Sequence, residues 1–301
     1  MARAITRPSG SLREQGAHLV ALYYLKPPAG AAAASFERHA KSTPFTVTHD
    51  KESAAATAQK GAATVLFIEP PIDKVPPPSA HELESFGRGL SPDERAQLPN
   101  LAAVSLLVFS YAPSAVDASL KQADQLAYDV ARDTHAYLFD GDTRELFTVD
   151  AWRDLRLAGW HQEAPIARNH VTVHAYKRDT GFRAVSLGML KLGLPDVAID
   201  GFDATDTQPI DVLMERLLQT LVASPTVTAK GELALPMNAT ETLLVPLVWG
   251  VRADGDAQNR LLELALDGDG PRHDQLARIL DRLRAPTNPA SPPPPPSSDR
   301  Q

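Results

Sequence analysis

The sequence predicts an α+β (or α/β) fold: mixed sheets with helices packed on one face, and a disordered proline-rich C-terminal tail. Three observations predict it. Apolar runs of strand length recur at AHLVALYYL (17–25), AATVLFIE (62–69) and LAAVSLLVFSY (101–111). Helical periodicity, with apolar residues at i, i+3, i+4 and i+7, follows the third run and returns over 209–223. From Arg168 the pattern changes to alternation, RNHVTVHAY, followed by a second alternating stretch in TGFRAVSLGM.

Taken in order, residues 17–25 read as a buried strand ended by PPAG, and AAAASFERHA (31–40) as a helix by propensity. PFTVTHD (44–50) alternates like a strand, KESAAATAQKG (51–61) suits a helix closed by glycine, and 62–69 is a second buried strand. Five prolines between 70 and 78 forbid regular structure, so a long surface excursion follows, with a short helix from about Ser79. The strand at 101–111 leads to a helix that Ser114 is placed to cap, with Val116, Leu120, Ala123, Ala127 and Val130 on one face. HAYLFD and RELFTV flank GDT as a hairpin, and Thr148 or Asp150 starts a helix through AWRDLRLAGW.

In the second half, residues 168–176 and TGFRAVSLGM form a hairpin, and VAIDGF is short and extended. The helix of 209–223 carries Ile210, Leu213, Met214, Leu217, Leu218 and Leu221 on one face, with Asp206 or Thr207 as its cap. ELALP and TLLVPLVWGV read as strands, Pro246 implying an edge or a bulge. NRLLELAL and DQLARILDRLR read as short helices joined through DGDGP. The implied organisation is a polar arm (1–16), an α/β-type half (17–160), an α+β half (161–284) that continues the same domain or forms its own, and a tail (285–301). That tail, rich in proline and poor in apolar residues, cannot pack a core.

Composition narrows the function classes. Among 301 residues there is no cysteine, which removes disulfides, thiolate metal sites and a cysteine nucleophile, and fits a cytoplasmic location. The net charge of −7 and the interleaving of Arg272, Arg278, Arg282 and Arg284 with Asp274 and Asp281 argue against nucleic acid as a partner. No run approaches the roughly 20 apolar residues of a membrane span, and the first residues lack the apolar stretch of a secretory signal.

Residues 186–202, SLGMLKLGLPDVAIDGF, hold two glycines around a lysine, but Gly193 is followed by Leu194 and Pro195 where a phosphate loop needs Lys and Ser or Thr. The stretch therefore reads as a turn. His170 and His174 share one face of the strand expected over 168–176 and stand about 13 Å apart, too far to share a metal ion. HELES (81–85) lacks the second histidine of a zinc-protease helix, and DGDG (267–270) has Arg278 where a calcium loop needs glutamate. No G-x-S-x-G elbow is present. Asp200, Asp203 and Asp206 are accounted for by helix capping, and Trp152 and Trp160 by core packing. No cofactor and no metal site is expected.

Three segments, in this order, carry a likeness: FIEPPIDKVPPP; the stretch LAAVSLLVFSY through HAYLFD; and SLGMLKLGLPD, of the form T/S-L-G-M-x-x-x-G-x-P-E/D. Together they resemble a bacterial family of uncharacterised domains with a Pro-Ile turn, over roughly residues 17–223. This chain departs from the pattern in having Asp196 at the acidic position and extra prolines in the turn. The resemblance implies an α/β or α+β domain and supplies no catalytic residue. The resulting expectation is a non-catalytic protein-interaction or accessory module, toxin-neutralising or secretion-associated, that binds another protein through a groove or sheet edge, with the proline tail as tether or ligand. The alternative is a hydrolase whose site assembles from His170, His174, Asp196 and Asp200.

Overall fold

The computed structural model describes residues 6–284 apart from 49, 51, 54–56, 58–60, 180, 239, 253–257 and 267–271. Part of the expected helix at 51–61, the DGDGP turn and the proline tail therefore lie outside the described residues. The long apolar run near the N-terminus forms β1 (Gly16–Tyr24), followed by α1 (Ala31–Ala40), β2 (Thr46–Thr48) and β3 (Thr64–Ile68). The proline-rich excursion holds a 3₁₀ turn (Ile72–Lys74), α2 (Ala80–Phe86), β4 (Gly87–Arg88) and α3 (Pro92–Gln97). The strongest apolar run is β5 (Ala103–Tyr111). It leads to α4 (Val116–Thr134), the hairpin β6 (Tyr137–Asp140) and β7 (Glu145–Phe147), and α5 (Val149–Trp152), which passes into a π-turn over Arg153–Leu157.

These seven strands form one sheet in the order β2-β3-β5-β1-β6-β7-β4, antiparallel except at β2/β3 and β4/β7. Alternation along β1 divides its side chains between two layers. Val20, Leu22 and Tyr24 join Phe36 of α1 and Leu120 and Ala127 of α4, whereas Ala21 and Tyr23 join Leu83, Leu90 and Leu98 of the excursion. Helices α1 and α4 thus cover one face, and the proline-rich excursion covers the other.

The second half begins with a helical turn, α6 (Ala167–His170), then the meander β8 (Thr172–Arg178), β9 (Gly181–Leu187) and β10 (Asp196–Phe202). Next come α7 (Thr207–Ala223), β11 (Glu232–Pro236), β12 (Thr242–Trp249), β13 (Leu261–Leu264) and α8 (Arg272–Arg284). The sheet order is β8-β9-β10-β13-β12-β11, with β10/β13 parallel and the other pairs antiparallel. One contiguous apolar cluster runs from Leu12 through both sheets to Leu280 of α8. The architecture is α+β. Among the described residues no helix is long and apolar enough to cross a membrane.

Four expectations are corrected. NRLLELAL is strand β13, not helix: it pairs with β10 and β12 at its two edges, and both of its faces are buried, Leu262 and Leu264 in the main core and Leu261 against Val185 and Ala198. Arg168–His170 is not strand: Val171 N–H donates to the Ala167 carbonyl at 2.8 Å, closing a helical turn, so His170 and His174 do not share a strand face. Ser114 does not cap α4, because a 3₁₀ turn over Pro113–Ala115 intervenes and the helix starts at Val116 with no side-chain cap. Pro246 lies in an interior strand: β12 pairs with β11 up to Pro246 and with β13 from Leu247 onward, so proline sits where the strand changes partner. Asp206 holds the N-cap position of α7 but makes no side-chain capping bond.

Candidate functional site

The densest group of ionisable side chains gathers at the C-terminal end of β6, where the two halves meet. Asp140, the last residue of the phrase YLFD, is fully buried. Its Oδ1 accepts the backbone N–H groups of Asp142 (3.1 Å) and Thr143 (3.2 Å) in the hairpin turn. Its Oδ2 accepts Arg156 Nη2 at 2.8 Å and Nε at 3.1 Å, and the Lys191 ammonium as well. Burial alone would raise the Asp140 pKa, but the charges of Lys191 and Arg156 outweigh it and hold the carboxyl far below the ordinary range.

Arg156 comes from the π-turn and stacks over Phe147, its guanidinium 4.6 Å from the ring centroid. It also donates to Glu145 Oε2 (2.9 Å), Thr143 Oγ1 (3.1 Å) and the Asn169 carbonyl. Glu145 Oε1 takes Arg88 Nε of β4 at 2.6 Å, and the two arginines lower its pKa against the upward push of burial. Lys191 reaches Asp140 from the loop between β9 and β10, and the Lys191 carbonyl accepts the Tyr111 hydroxyl at 2.6 Å. The two glycines make this loop possible. Gly188 (φ 110°) and Gly193 (φ 65°) both turn left-handed, and a Cβ on Gly193 would collide with the Glu14 carbonyl. Far from cradling a phosphate, the loop drives its lysine into the carboxylate of the other half.

Behind Asp140 lies a histidine–carboxylate line. His18 Nδ1 bonds Asp142 Oδ2 at 2.6 Å, and its Nε2 faces Asp124 Oδ1 at 3.5 Å. On the far side, His170 Nδ1 stands 3.6 Å from Asp124 Oδ2, while His170 Nε2 meets the Gly159 carbonyl at 3.1 Å. His18, Asp124 and His170 are all buried. Burial pushes both imidazoles toward the neutral form. For His18 the Asp124 carboxylate, the bond to Asp142 and the charge of Asp140 overcome this and raise its pKa to about 9; for His170 burial prevails and lowers it to about 3. At formal charge the group is balanced, His18, Lys191, Arg156 and Arg88 facing Asp124, Asp140, Asp142 and Glu145.

Among the described residues, His18, Asp140 and Asp142 form the group whose ligand atoms all lie within 4.8 Å of one another. They do not suit a metal ion. Both Asp140 oxygens are already occupied, one by an ammonium and a guanidinium that would repel a cation, and His18 Nδ1 is bonded to Asp142. None of the three surface cavities described is lined by a member of the cluster.

Of the four residues of the hydrolase alternative, only His170 belongs to this cluster. His174 lies half-buried on β8 with its ring 5.1 Å from that of Phe86, and burial, then the charge of Arg144, lowers its pKa. Asp196 opens β10; its Oδ1 accepts Ser186 Oγ–H (3.0 Å) and Met189 N–H (3.3 Å), bracing the glycine loop, and burial pushes its pKa up to about 7. Asp200 accepts Arg183 Nη1 at 2.5 Å. Among the described residues no hydrogen bond, ion pair or ring contact joins any two of His170, His174, Asp196 and Asp200. Sequence reasoning missed His18, Asp124, Asp140, Glu145, Arg156 and Lys191. A signal was present: the phrase YLFD and the two-glycine stretch SLGMLKLGLPD meet at the Asp140–Lys191 pair. No protein-family model, no curated protein and no solved structure matches this chain.

Proposed function

We propose that the protein is a non-catalytic binding module that acts through contact with another protein. The observation that supports this reading is the closure of the ionisable cluster. A general acid, base or nucleophile has to reach substrate, and the groups best arranged for such work are buried between the halves, spent on one another. The hydrolase alternative needs His170, His174, Asp196 and Asp200 in one place, and their separate partners give it no support. The open surface instead offers a largely apolar groove of about 470 Å³ along the proline-rich excursion. Capture of the full chain from its native host, followed by quantitative mass spectrometry, tests the reading: one protein at near-stoichiometric yield is expected. Turnover of an ester, phosphate or peptide substrate that disappears in Asp196→Asn, with the fold retained, would overturn it.

A further inference from the structure

The end of β12 and the start of β13 border a pocket of about 440 Å³. Backbone pairing fixes its frame. Trp249, the last residue of β12, donates its N–H to the Thr6 carbonyl at 2.9 Å, and Gly250 N–H donates to the Leu261 carbonyl of β13 at 2.9 Å. On the β13 side Asn259 is buried; its Nδ2 donates to the Leu194 carbonyl and its Oδ1 accepts the Arg260 N–H, each at 2.8 Å. The Arg260 carbonyl accepts the Asp196 N–H of β10 at 2.8 Å, so this residue is held at both of its backbone groups. Two arginines and no carboxylate stand among the described lining residues. The Arg260 guanidinium lies 4.9 Å from the Trp249 ring centroid, donates from Nη2 to the Leu12 carbonyl at 3.2 Å and meets Glu14 Oε1 through Nη1 at 2.9 Å. Arg252 is exposed, and its one described partner is neutral: Gln258 Oε1 accepts its Nη1 at 3.2 Å. Among the described residues neither the Gln258 amide N–H groups nor the Trp249 indole N–H has an acceptor. Donors therefore exceed acceptors in a hollow of ligand size, and the Arg252 charge meets no described anion.

We propose that this pocket binds a small oxyanion, the carboxylate or phosphate group of a metabolite-sized ligand. Arg252 is its forked partner, Arg260 stacked on Trp249 is a rigid second cation, and Gln258 supplies a neutral donor. The site is independent of the contact with another protein proposed above. A guanidinium matches two oxygens of one carboxylate or phosphate, which a neutral ligand does not offer. A cation would meet two like charges, and an apolar ligand would bury guanidinium groups without acceptors. A nucleic-acid strand needs a run of cations, and this lining holds two in a chain of net charge −7.

Isothermal titration of the full chain at low ionic strength with inorganic pyrophosphate and with malonate tests the inference and separates the two sources of the anion. Saturable binding of at least one probe, one per chain and weakened by added salt, is expected. Arg252→Gln is expected to weaken it about tenfold, as loss of a charge-assisted hydrogen bond does, with thermal unfolding unchanged. Glu14→Gln removes the carboxylate that competes for Arg260 and is expected to tighten binding about threefold, which a merely structural role would not do. Arg168→Gln makes the same change of charge at an exposed arginine that pairs with Glu215 and lies outside the lining, and is expected to leave the affinity as it is. Binding of neither probe, or an equal loss in Arg252→Gln and Arg168→Gln, would overturn the proposal. So would binding that appears only when Asp254→Asn and Asp256→Asn are combined, because the chain's own carboxylates, two and four residues beyond Arg252, would then be the occupants.

Discussion

At the scale of single residues, Asp140 is the pivot, and its energetics are asymmetric. A carboxylate carried out of water is tolerated only when its charge is met, and here Lys191 and Arg156 meet it from opposite halves of the chain. Lys191→Met keeps much of the side-chain volume but strips one counter-charge from a closed site, so we expect a loss of about 3–5 kcal/mol in urea-monitored stability. Asp140→Asn combined with Lys191→Met should cost clearly less than the sum of the two single changes, because the second removes a charge the first has already orphaned. Additivity in that cycle would show that the pair is not coupled. The sequence announced neither residue as a partner of the other. It did display Lys191 between two glycines, and Asp140 at the end of an aromatic phrase, but a pairing across 51 positions is a property of tertiary structure. Asp196 is one of the four residues of the hydrolase alternative, and its place beside Ser186 and the Met189 amide makes it a brace for the loop that presents Lys191.

At the scale of elements, legibility followed periodicity. Helix α7 was readable because Ile210, Leu213, Met214, Leu217, Leu218 and Leu221 repeat on one face, and all six are buried. Leu217→Asp places a charge in that layer without a partner, and a loss of about 3 kcal/mol or more is expected in the same denaturation assay. Strand β13 was misread because LLEL carries apolar residues at spacings that either a short helix or a doubly covered strand satisfies; only its place between β10 and β12 decides. The cap expected at Ser114 fails although Asp117 stands three residues on, because the 3₁₀ turn over Pro113–Ala115 displaces the helix start, whereas Ser79 and Ser91, each three residues before a glutamate, close reciprocal boxes. Ser91→Ala in α3 should therefore cost about 1 kcal/mol and raise amide exchange in 93–97, because the Ser91 Oγ that accepts the Glu94 N–H is lost while the Ser91 N–H still reaches Glu94 Oε2. An unchanged exchange rate would mean that packing alone holds this helix.

At the scale of the whole molecule, the buried cluster links the union of the halves to pH. The folded state raises the His18 pKa from 6.5 to about 9, so it binds a proton that the unfolded chain releases between those values. The stabilisation is complete below about pH 6.5 and is lost as pH rises through about 9. Asp196 acts in the same direction at lower pH: its folded value near 7 exceeds the unfolded 3.8, so stability falls as pH climbs across that interval. Asp140 and Glu145 act in the opposite sense, for their lowered values give stability above the ordinary carboxylate range that is lost on acidification through it. Groups from several elements bear on His18: Asp124 on α4, Asp142 and Asp140 at the β6–β7 turn, with Lys191 and Arg156 held on Asp140. Deprotonation leaves three carboxylates of the line facing a neutral ring, and the balance of charge across the junction fails. We therefore expect the denaturation midpoint to decline between pH 7 and 9.5 in the wild type. In His18→Gln the profile over that range should be flatter, whatever the variant's absolute stability, because the amide has no proton to lose. A wild-type midpoint constant from pH 7 to 9.5, or an equal decline in His18→Gln, would show that the junction does not depend on a charged His18.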